Sequence, residues 1–182
     1  FMKCKPIPQE LLDCLEYKSG KLYWKHRQDM PIQWNARLAG KEAGNIRSGY
    51  FSIGFKNKKT NKQNTFSCHR IIWLMHNLNH PKVVKTQEGY VFPDVDHEDQ
   101  NRLNNDKDNL RLTTVKQNQG NAKLSKNNTS GVTGVYRVRD KYKVEIAKKY
   151  YGFYHTEEEA KVVAIKAHKE VFGKFSKYWK KK

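Results

Sequence analysis

Residues 131 to 173 constrain the fold of this 182-residue chain more than any other part, because three strand-like segments precede one helical segment there. The strand-like segments are residues 135–139, 142–146 and 150–154. Apolar and polar side chains alternate in the first two, which is typical of strands with one buried face, and the third is rich in aromatic residues. The helical segment opens with Thr156 and Glu159 at the spacing of a capping box and ends at Gly173. The pattern predicts a small three-stranded antiparallel sheet with one packed helix.

A polar stretch separates this region from the rest of the chain. Residues 119–130 are small and polar, which is typical of a linker. A chain of this length is long enough for one domain or for two small ones. We therefore predict a first domain over residues 1–120, a linker over residues 121–130 and a second domain over residues 131–182.

The first predicted domain mixes helical and strand-like segments. Apolar residues at helical spacing predict a short amphipathic helix over residues 9–17, and an apolar block predicts a buried helix over residues 69–77. Strands are predicted at residues 21–24, 49–55 and 65–68, separated by loops rich in Gly, Asn and Lys. The fold class predicted for the whole chain is therefore α+β.

The chain is strongly basic, with 36 Lys and Arg residues against 18 Asp and Glu residues and a formal net charge of +18. Residues up to Ser130 include 22 basic and 12 acidic side chains, and the residues after it include 14 and 6. Because a basic protein releases condensed counterions when it binds a polyanion, the charge indicates nucleic acid as a partner. A ribosomal-type RNA-binding protein, or a protein that is merely solubilised by its charge, has a similar balance, and charge alone does not separate these alternatives.

Several other classes of protein are not expected. The longest apolar run, residues 71–75, is far shorter than the roughly 18 residues of a membrane span. The first residues contain neither an apolar stretch nor a signal-peptide cleavage site. Cys4, Cys14 and Cys68 are odd in number and form no C-x-x-C pair, which argues against a disulfide framework and a zinc knuckle. We therefore expect a protein of the reducing cytoplasm.

Residues 94–119 have the order strand, loop, strand and short polar helix, which is a ββα unit. Their polar residues are Asp96-His97, Asn104-Asn105, Asp108-Asn109-Leu110-Arg111 and Lys116-Gln117-Asn118-Gln119. In these residues the chain closely resembles the HNH (His-Me finger) endonucleases carried by phages and mobile introns. Residues 20–24 and 69–74 are similar to the N-terminal region of that family, so the resemblance spans about residues 10–121. The segment 76–94 is longer than is usual in the family, which leaves the shape of the DNA channel there open.

The resemblance implies a ββα-metal nuclease domain in which His97 is the general base and Asn109 braces the loop between the two strands. It implies further that Asp96 and Asn118 bind one divalent metal ion. The chemistry agrees with these roles, because a neutral imidazole can take the proton of the attacking water near neutral pH. Hard oxygen ligands suit Mg²⁺, with Mn²⁺ as a substitute, and the metal would contact the scissile phosphate and stabilise the leaving 3′ oxygen.

Other polar residues near this motif have simpler interpretations. Asp96 and His97 are adjacent, so on a regular strand one of them must lie at a bend or bulge for both to face the same phosphate. Glu98 and Asp99 are expected to be solvated loop carboxylates rather than acids that support the metal site. His69 precedes the apolar block, and we expect a hydrogen-bonded structural histidine without a catalytic role.

Residues 131–173 resemble the AP-two/ERF-type DNA-binding domain, which occurs in plant transcription factors and is appended to phage HNH enzymes. The matching residues are Gly131–Arg137, Tyr142–Ile146, Tyr151–Phe153 and Thr156–Ala160. Strand parity gives a separate prediction for the faces of the sheet. Tyr136 and Val138 are expected to face the helix, which leaves Arg137 and Arg139 on the outer face.

On the next strand, Tyr142, Val144 and Ile146 are expected to face the helix and Lys141, Lys143 and Glu145 to face outward. A sheet with a basic outer face can enter the major groove, where Arg binds guanine bidentately; the alternative is an ordinary solvated sheet face. The predicted DNA contacts of the chain are Arg137, Arg139, Lys141, Lys143, Arg70 and Arg111. Lys180–Lys182 are expected to contact phosphates nonspecifically or to be disordered.

These observations predict a two-domain α+β protein, a ββα-metal nuclease domain followed by a sheet-and-helix DNA-binding domain. We expect it to hydrolyse double-stranded DNA as a monomeric, site-specific nicking enzyme of the homing type, encoded by a phage or other mobile element and acting in the host cytoplasm. The main alternative is a DNA-binding or regulatory protein that keeps the nuclease fold without activity, and a second is an RNA-binding protein of the ribosomal type. The presence of Asp96, His97 and Asn118 together favours the enzyme.

Overall fold

The computed structural model describes residues 5–56, 61 and 63–179. The prediction for Lys180–Lys182 concerns residues outside these ranges. The chain divides into two units, Phe1–Thr113 and Thr114–Lys182. The described residues form small antiparallel sheets and a few helices, so the expected α+β class is confirmed, while the assignment to a ββα-metal nuclease fold stays a prediction. None of the helices in the described ranges has the length and apolar character needed to cross a membrane.

The first unit consists of short helices and strands. Its described helices are α1 (Gln9–Asp13), α2 (Ile32–Leu38) and α3 (Cys68–His76). Its described strands are β1 (Leu15–Lys18), β2 (Lys21–Trp24), β3 (Asn45–Arg47), β4 (Tyr50–Lys56), β5 (Gln63–Ser67), β6 (Val84–Thr86), β7 (Gly89–Val91), β8 (Asp94–His97) and β9 (Leu110–Thr113). They form the antiparallel sheets β1–β2, β3–β4–β5, β6–β7 and β8–β9.

The helix predicted over residues 9–17 ends at Asp13, and β1 follows it. β1 pairs with β2 across a turn in which Ser19 and Gly20 have φ values of 45° and 77°. Positive φ at both central residues is typical of the two-residue turns that match the twist of a hairpin. Leu15 contributed to the apolar spacing that predicted a helix over residues 9–17. In the structure it is fully buried as part of the hairpin strand β1.

α3 lies at the centre of the first unit's core. Ile71, Ile72 and Leu74 are each 0% exposed, and the helix packs on β4, β5 and β8. This confirms the buried helix that the apolar block predicted. The packing also places the N-terminal turn of α3 beside the ribbon of β8 and β9, where the predicted catalytic residues lie.

The segment 76–94 contains the hairpin β6–β7, which is attached to the N-terminal part of the chain. Ile7 N donates to Tyr90 O at 3.0 Å, and Tyr90 N donates to Ile7 O at 2.9 Å. Gly89 has φ 137°, and a Cβ there would lie 2.2 Å from the Ile7 carbonyl oxygen, so the two segments approach closely only because residue 89 is glycine.

The second unit contains one sheet and a long helix that packs on it. Its described elements are α4 (Val115–Gly120), β10 (Val135–Val138), β11 (Lys141–Ile146), β12 (Lys149–Tyr154) and α5 (Glu157–Phe172). The strand order is β10–β11–β12 with antiparallel pairing, which confirms the predicted three-stranded antiparallel sheet. Thr156 and Glu159 form the predicted capping box: the Thr156 side chain accepts from Glu159 N, and the Glu159 side chain accepts from Thr156 N.

The outer face of this sheet differs from the prediction on β10. Val135 pairs with Val144, which is fully buried, and Tyr136 pairs with Lys143. Residues directly opposite each other on antiparallel strands share a face. Tyr136 and Val138 therefore lie on the outer side, where they are 54% and 41% exposed. The predicted faces of β10 were wrong.

The pairing also moves Arg137 to the helix side, because Arg137 lies opposite Tyr142, a residue that packs against the core of the second unit. Arg139 follows β10 in the turn, with φ 56°. The predicted faces of β11 are confirmed, since Val144 and Ile146 are buried. The prediction for β10 was wrong because the buried side chain of that strand is Val135. The sequence analysis had placed the next residue, the aromatic Tyr136, on the side that faces the helix.

The division between the units falls earlier than the predicted linker. α4 packs against α5, and a Cβ on Gly120 would lie 2.6 Å from the Phe172 ring. Lys177 N donates to Gly120 O at 3.0 Å. These contacts place α4 and residues 121–130 within the second unit, which begins at Thr114 rather than after residue 120.

Candidate functional site

β8 and β9 form the two-stranded ribbon that carries the predicted base. Its regular register pairs Asp96 with Arg111 and His97 with Leu110. Burial alternates along β8, with Val95 and His97 buried and Asp96 partly exposed. The bend or bulge expected at Asp96 or His97 does not occur in this strand, so their side chains leave opposite faces of β8.

His97 is held by a buried amide from the loop between β8 and β9. Its ring is 4% exposed, and Nε2 lies 2.9 Å from Oδ1 of Asn105, which is also 4% exposed. An amide oxygen accepts hydrogen bonds and cannot donate them, so this contact is a hydrogen bond in which Nε2 of His97 is the donor. The motif contained Asn105, but its spacing gave no sign of this role.

His69 stands directly against His97. Its ring, in the first turn of α3, has its centroid 4.8 Å from that of His97. Tyr50, the first residue of β4, contacts both imidazoles, with centroid distances of 5.3 Å to His69 and 6.2 Å to His97. Burial, and to a smaller extent the charges of His97 and Arg70, lower the pKa of His69 to about 3, so this imidazole is neutral at physiological pH. Sequence spacing had connected neither His69 nor Tyr50 with His97.

Asp96 is paired within the ribbon. Arg111 Nη2 lies 3.3 Å from Asp96 Oδ2, and Arg111 Nη1 lies 3.3 Å from Glu98 Oε1. The Asp96 side chain is 11% exposed and that of Arg111 is 17% exposed. One partly buried guanidinium thus compensates two carboxylates, and Glu98, expected to be solvated, is one of them. The DNA contact predicted for Arg111 stays a prediction.

Asn109 and Asp99 hold the loop between β8 and β9. Asn109 Oδ1 accepts from Asp99 N at 3.0 Å, and Asn109 Nδ2 donates to Asp99 Oδ1 at 2.9 Å and to Asn104 O at 2.8 Å. Asp99 also accepts from Asn101 N and Asn104 Nδ2. Burial raises the pKa of the Asp99 carboxyl, but these hydrogen bonds outweigh it and the pKa is lowered. Asp99 therefore braces the loop and is at the same time exposed, as expected of a solvated carboxylate.

Arg70 is engaged in a similar way. Its guanidinium donates to Pro93 O and Phe92 O and pairs with Asp94 at 3.3 Å. It also lies over the Phe92 ring, 4.5 Å from the centroid. These contacts tie α3 to the start of β8, and the predicted contact of Arg70 with DNA stays a prediction.

Asn118, the second predicted metal ligand, lies on α4 in the second unit. α4 begins with a capping box of Thr114 and Gln117, and Asn118 N donates to Thr114 O at 2.9 Å. Among the residues that the structure describes, no three His, Cys, Asp or Glu side chains are grouped so that they could hold a metal ion. Mg²⁺ does not need such a group, because it commonly binds through one or two carboxylates together with waters and substrate phosphates.

The outer face of the second unit's sheet is the candidate DNA-binding surface. It carries Lys143 and Glu145, which form an ion pair that raises the pKa of Lys143, and Lys141 beside the turn. Exposed aromatic side chains share the face: Tyr136 and Tyr150 at 54% and Phe153 at 49%. The surface is therefore more apolar than the sequence analysis expected.

Comparison of the chain with protein-family models, with curated proteins and with solved structures finds no match.

Proposed function

We propose that the chain is a metal-dependent DNA endonuclease in which His97 is the general base. The observation that carries the proposal is the hydrogen bond from His97 Nε2 to Asn105 Oδ1, which makes Nδ1 the nitrogen that would take a proton from water. Asp96, the preceding residue of the same strand, supplies a carboxylate close to that base along the chain. The resemblance to HNH endonucleases in residues 94–121 is independent support from the sequence.

In the proposed reaction, Nδ1 of His97 takes a proton from a water molecule while the water oxygen attacks phosphorus. The bond to the 3′ oxygen breaks, and that oxygen is protonated from solvent. Asn105 keeps the imidazole in the required tautomer throughout, because its carbonyl oxygen holds the proton on Nε2. Loss of a general base of this kind typically slows a reaction by about 10²- to 10⁴-fold.

The donor chemistry of Asp96 fits a hard divalent cation such as Mg²⁺. Its carboxylate shares the single positive charge of Arg111 with Glu98, so one formal negative charge of the two carboxylates is left for a cation to compensate. Asp96 would hold the metal. When bound, the metal would offset negative charge on the scissile phosphate and the leaving oxygen.

The geometry of the β8–β9 ribbon limits where the scissile phosphate can bind. Because Asp96 and His97 leave opposite faces of β8, the proposal requires the scissile phosphate to lie along an edge of this strand. Among the described strands β8 pairs with β9 alone, so its other edge has no strand partner. A phosphodiester on that edge can be approached from both faces.

The net charge of +18 supports double-stranded DNA as substrate, and the outer sheet face of the second unit supports a separate role in recognition. That face presents lysines together with exposed aromatic and aliphatic groups. A three-stranded sheet of this size can enter the major groove, where apolar groups contact thymine methyls and basic groups contact phosphates or guanine.

One observation favours a second candidate, a DNA-binding protein without nuclease activity. Asp96 is paired with Arg111, so a metal at this carboxylate must compete with a guanidinium. If the cation does not enter, the chain still has the charge and the sheet face for binding DNA.

Supercoiled plasmid, incubated with the protein and Mg²⁺ and in parallel with EDTA, separates the candidates. The endonuclease converts the plasmid to open circle with Mg²⁺ and leaves it intact with EDTA, whereas the noncatalytic protein shifts the plasmid without cutting it. A monomer with one His97 per chain should stop at the open circle under single-turnover conditions. Linear product that appears without an open-circle precursor would contradict nicking by a monomer and indicate a dimer.

A further inference from the structure

Arg102 stands over the ring that links the two imidazoles of the candidate site. It lies in the loop between β8 and β9, it is exposed, and its Cζ is 4.9 Å from the centroid of Tyr50. The same Tyr50 ring contacts His69 and His97. The exposed guanidinium of Arg102 therefore contacts the Tyr50 ring, and the same ring contacts the imidazole of the proposed general base.

Both sides of this contact are fixed by local backbone structure. On one side, Ser48 and Gly49 turn the β3–β4 hairpin with φ 49° and 80°, which brings Tyr50 to the start of β4. A Cβ on Gly49 would lie 3.9 Å from Nη1 of Arg102, so the hairpin turn and the guanidinium are neighbours. A flat ring held in this way is a suitable support for a guanidinium, which stacks on aromatic faces.

On the other side, side chains fasten the loop on both flanks of Arg102. Asn101 N donates to Asp99 Oδ1 at 2.8 Å, and Leu103 N donates to Asn101 Oδ1 at 3.1 Å. Asn104 Nδ2 donates to Asp99 Oδ2 at 2.8 Å. The backbone at residue 102 is thus held before any substrate arrives, which reduces the entropy lost when its side chain binds.

Arg102 differs from two other arginines of the first unit in its ion pairing. Arg70 pairs with Asp94, and Arg111 pairs with two carboxylates. Within the described ranges no carboxylate forms an ion pair with Arg102. The Cζ of Arg102 lies 4.9 Å from the centroid of the Tyr50 ring. A guanidinium that packs on an aromatic ring through its face keeps its N–H donors in its own plane, where they can bind phosphate oxygens bidentately.

We propose that Arg102 is a phosphate-binding residue of the candidate site and that Tyr50 is its positioning residue. The ligand is a phosphodiester of the DNA backbone next to the bond that His97 acts on. This inference rests on the proposed function for its role in cleavage, but the phosphate contact itself can be measured without cleavage. Arg102 would offset charge that develops on phosphate oxygens in the transition state.

The phosphate contact is tested by DNA binding in EDTA. The affinity of the full chain for a labelled duplex is measured by anisotropy over a series of salt concentrations, for wild type, Arg102→Gln, Arg102→Lys and Arg37→Gln. Arg37 is an exposed arginine on α2 and serves as the matched loss of one charge. The plot of log affinity against log salt should be shallower by about 0.9 for Arg102→Gln, which corresponds to one phosphate, and unchanged for the other two variants. Equal slopes for Arg102→Gln and wild type would overturn the proposal.

The role in cleavage is tested by single-turnover rates with Mg²⁺ at saturating enzyme. Arg102→Gln should be slower by about 10²-fold, a typical cost of losing one donor that stabilises transition-state charge. Arg102→Lys should recover only part of the rate, because an ammonium neither stacks on Tyr50 nor binds bidentately. Tyr50→Leu removes the aromatic support and should be slower, and Tyr50→Phe, which restores an aromatic face, should recover most of that loss.

The outcomes separate this inference from the proposed function. If wild type does not cleave DNA, the proposed function fails, while the salt slopes still decide whether Arg102 contacts phosphate. If wild type cleaves and Arg102→Gln keeps both its rate and its slope, the inference fails alone. Should Tyr50→Leu lose its fold by circular dichroism, the comparison of Arg102→Gln with Arg37→Gln remains decisive.

Discussion

The two units each bury one histidine with a lowered pKa, and the two histidines have different neighbours. His69 is 7% exposed and His168 is 1% exposed, and burial lowers their pKa values to about 3 and about 4. His168 Nδ1 lies 2.8 Å from Ser176 Oγ, and its ring contacts Phe172 within the second unit. His69 instead contacts the predicted general base. Burial and pKa are alike at the two sites, so they do not identify a functional histidine; its contacts do.

The same contrast holds for the polar residues proposed to act on DNA. In the first unit the candidate groups, His97 and Asn105, are buried and bonded to each other. In the second unit the candidate groups, such as Lys141 and Tyr136, lie on an open sheet face. Single substitutions among the buried groups of the first unit should therefore reduce the cleavage rate strongly. Single substitutions on the sheet face of the second unit should weaken DNA binding only moderately.

Asp96→Asn should have the largest effect, abolishing plasmid cleavage even at high Mg²⁺, because it removes the charged ligand of the proposed metal site. DNA affinity in EDTA should stay the same or rise slightly, since the substitution removes a negative charge paired with Arg111. Cleavage is measured on supercoiled plasmid and affinity by anisotropy. Cleavage by Asp96→Asn at the wild-type rate would contradict the metal site.

His97→Ala should slow single-turnover cleavage by about 10²- to 10⁴-fold and leave DNA affinity nearly unchanged. The reason is that the substitution removes the base but none of the positive charge that attracts DNA. His26→Ala, at an exposed histidine of the same unit, is the control and should cut as wild type does. If the two variants cleave equally fast, His97 is not the base.

The buried histidines predict acid sensitivity in both units. Each is neutral when folded, whereas in the unfolded chain it binds a proton below its ordinary pKa of 6.5. Stability is therefore complete above pH 6.5 and is lost as the pH falls toward the folded-state pKa, by about 2 kcal/mol per histidine at pH 5. Urea denaturation at pH 7 and pH 5 should show this loss, and His69→Gln and His168→Gln should each reduce it. An identical pH response in wild type and both variants would be the contrary result.

Substitutions on the sheet of the second unit should have the smallest effects. Lys141→Ala should weaken DNA binding about threefold to tenfold, because Lys141 lies on the outer face and contributes a charge there. Arg137→Ala should change binding less, since Arg137 lies on the helix side of β10. Competition binding with specific and nonspecific duplexes measures both. A larger loss for Arg137→Ala would show that the outer face is not the surface that meets DNA.

Local sequence patterns predicted the elements that bury a periodic apolar face. The three strands and the capped helix of the second unit, and the buried helix α3, all occur near their predicted positions. α2 was missed because it buries none of its residues, so its sequence has no apolar period; Ile32 is 85% exposed. The helix over residues 9–17 was predicted too long because two positive φ angles at Ser19 and Gly20 favoured a hairpin instead.

The candidate site was predictable only where its residues are close in sequence. His97 and Asp96 belong to one short motif, and the motif was recognisable. The ring contacts of His69 and Tyr50 with His97 join α3, β4 and β8, and no spacing rule connects residues so far apart in the chain. The sequence also did not show which charged side chains form ion pairs. Arg111 was predicted to contact DNA, whereas in the structure it pairs with the carboxylates of Asp96 and Glu98.

The contact between Ile7 and Tyr90 has a consequence for the order of folding. The two residues exchange backbone hydrogen bonds across most of the first unit's length, and Gly89 leaves room for them to do so. A contact of such high sequence separation carries a large loop-closure cost, so it forms after the local hairpins rather than before them. On a growing chain, the N-terminal segment must therefore wait until β7 has been synthesised before it can take its native place.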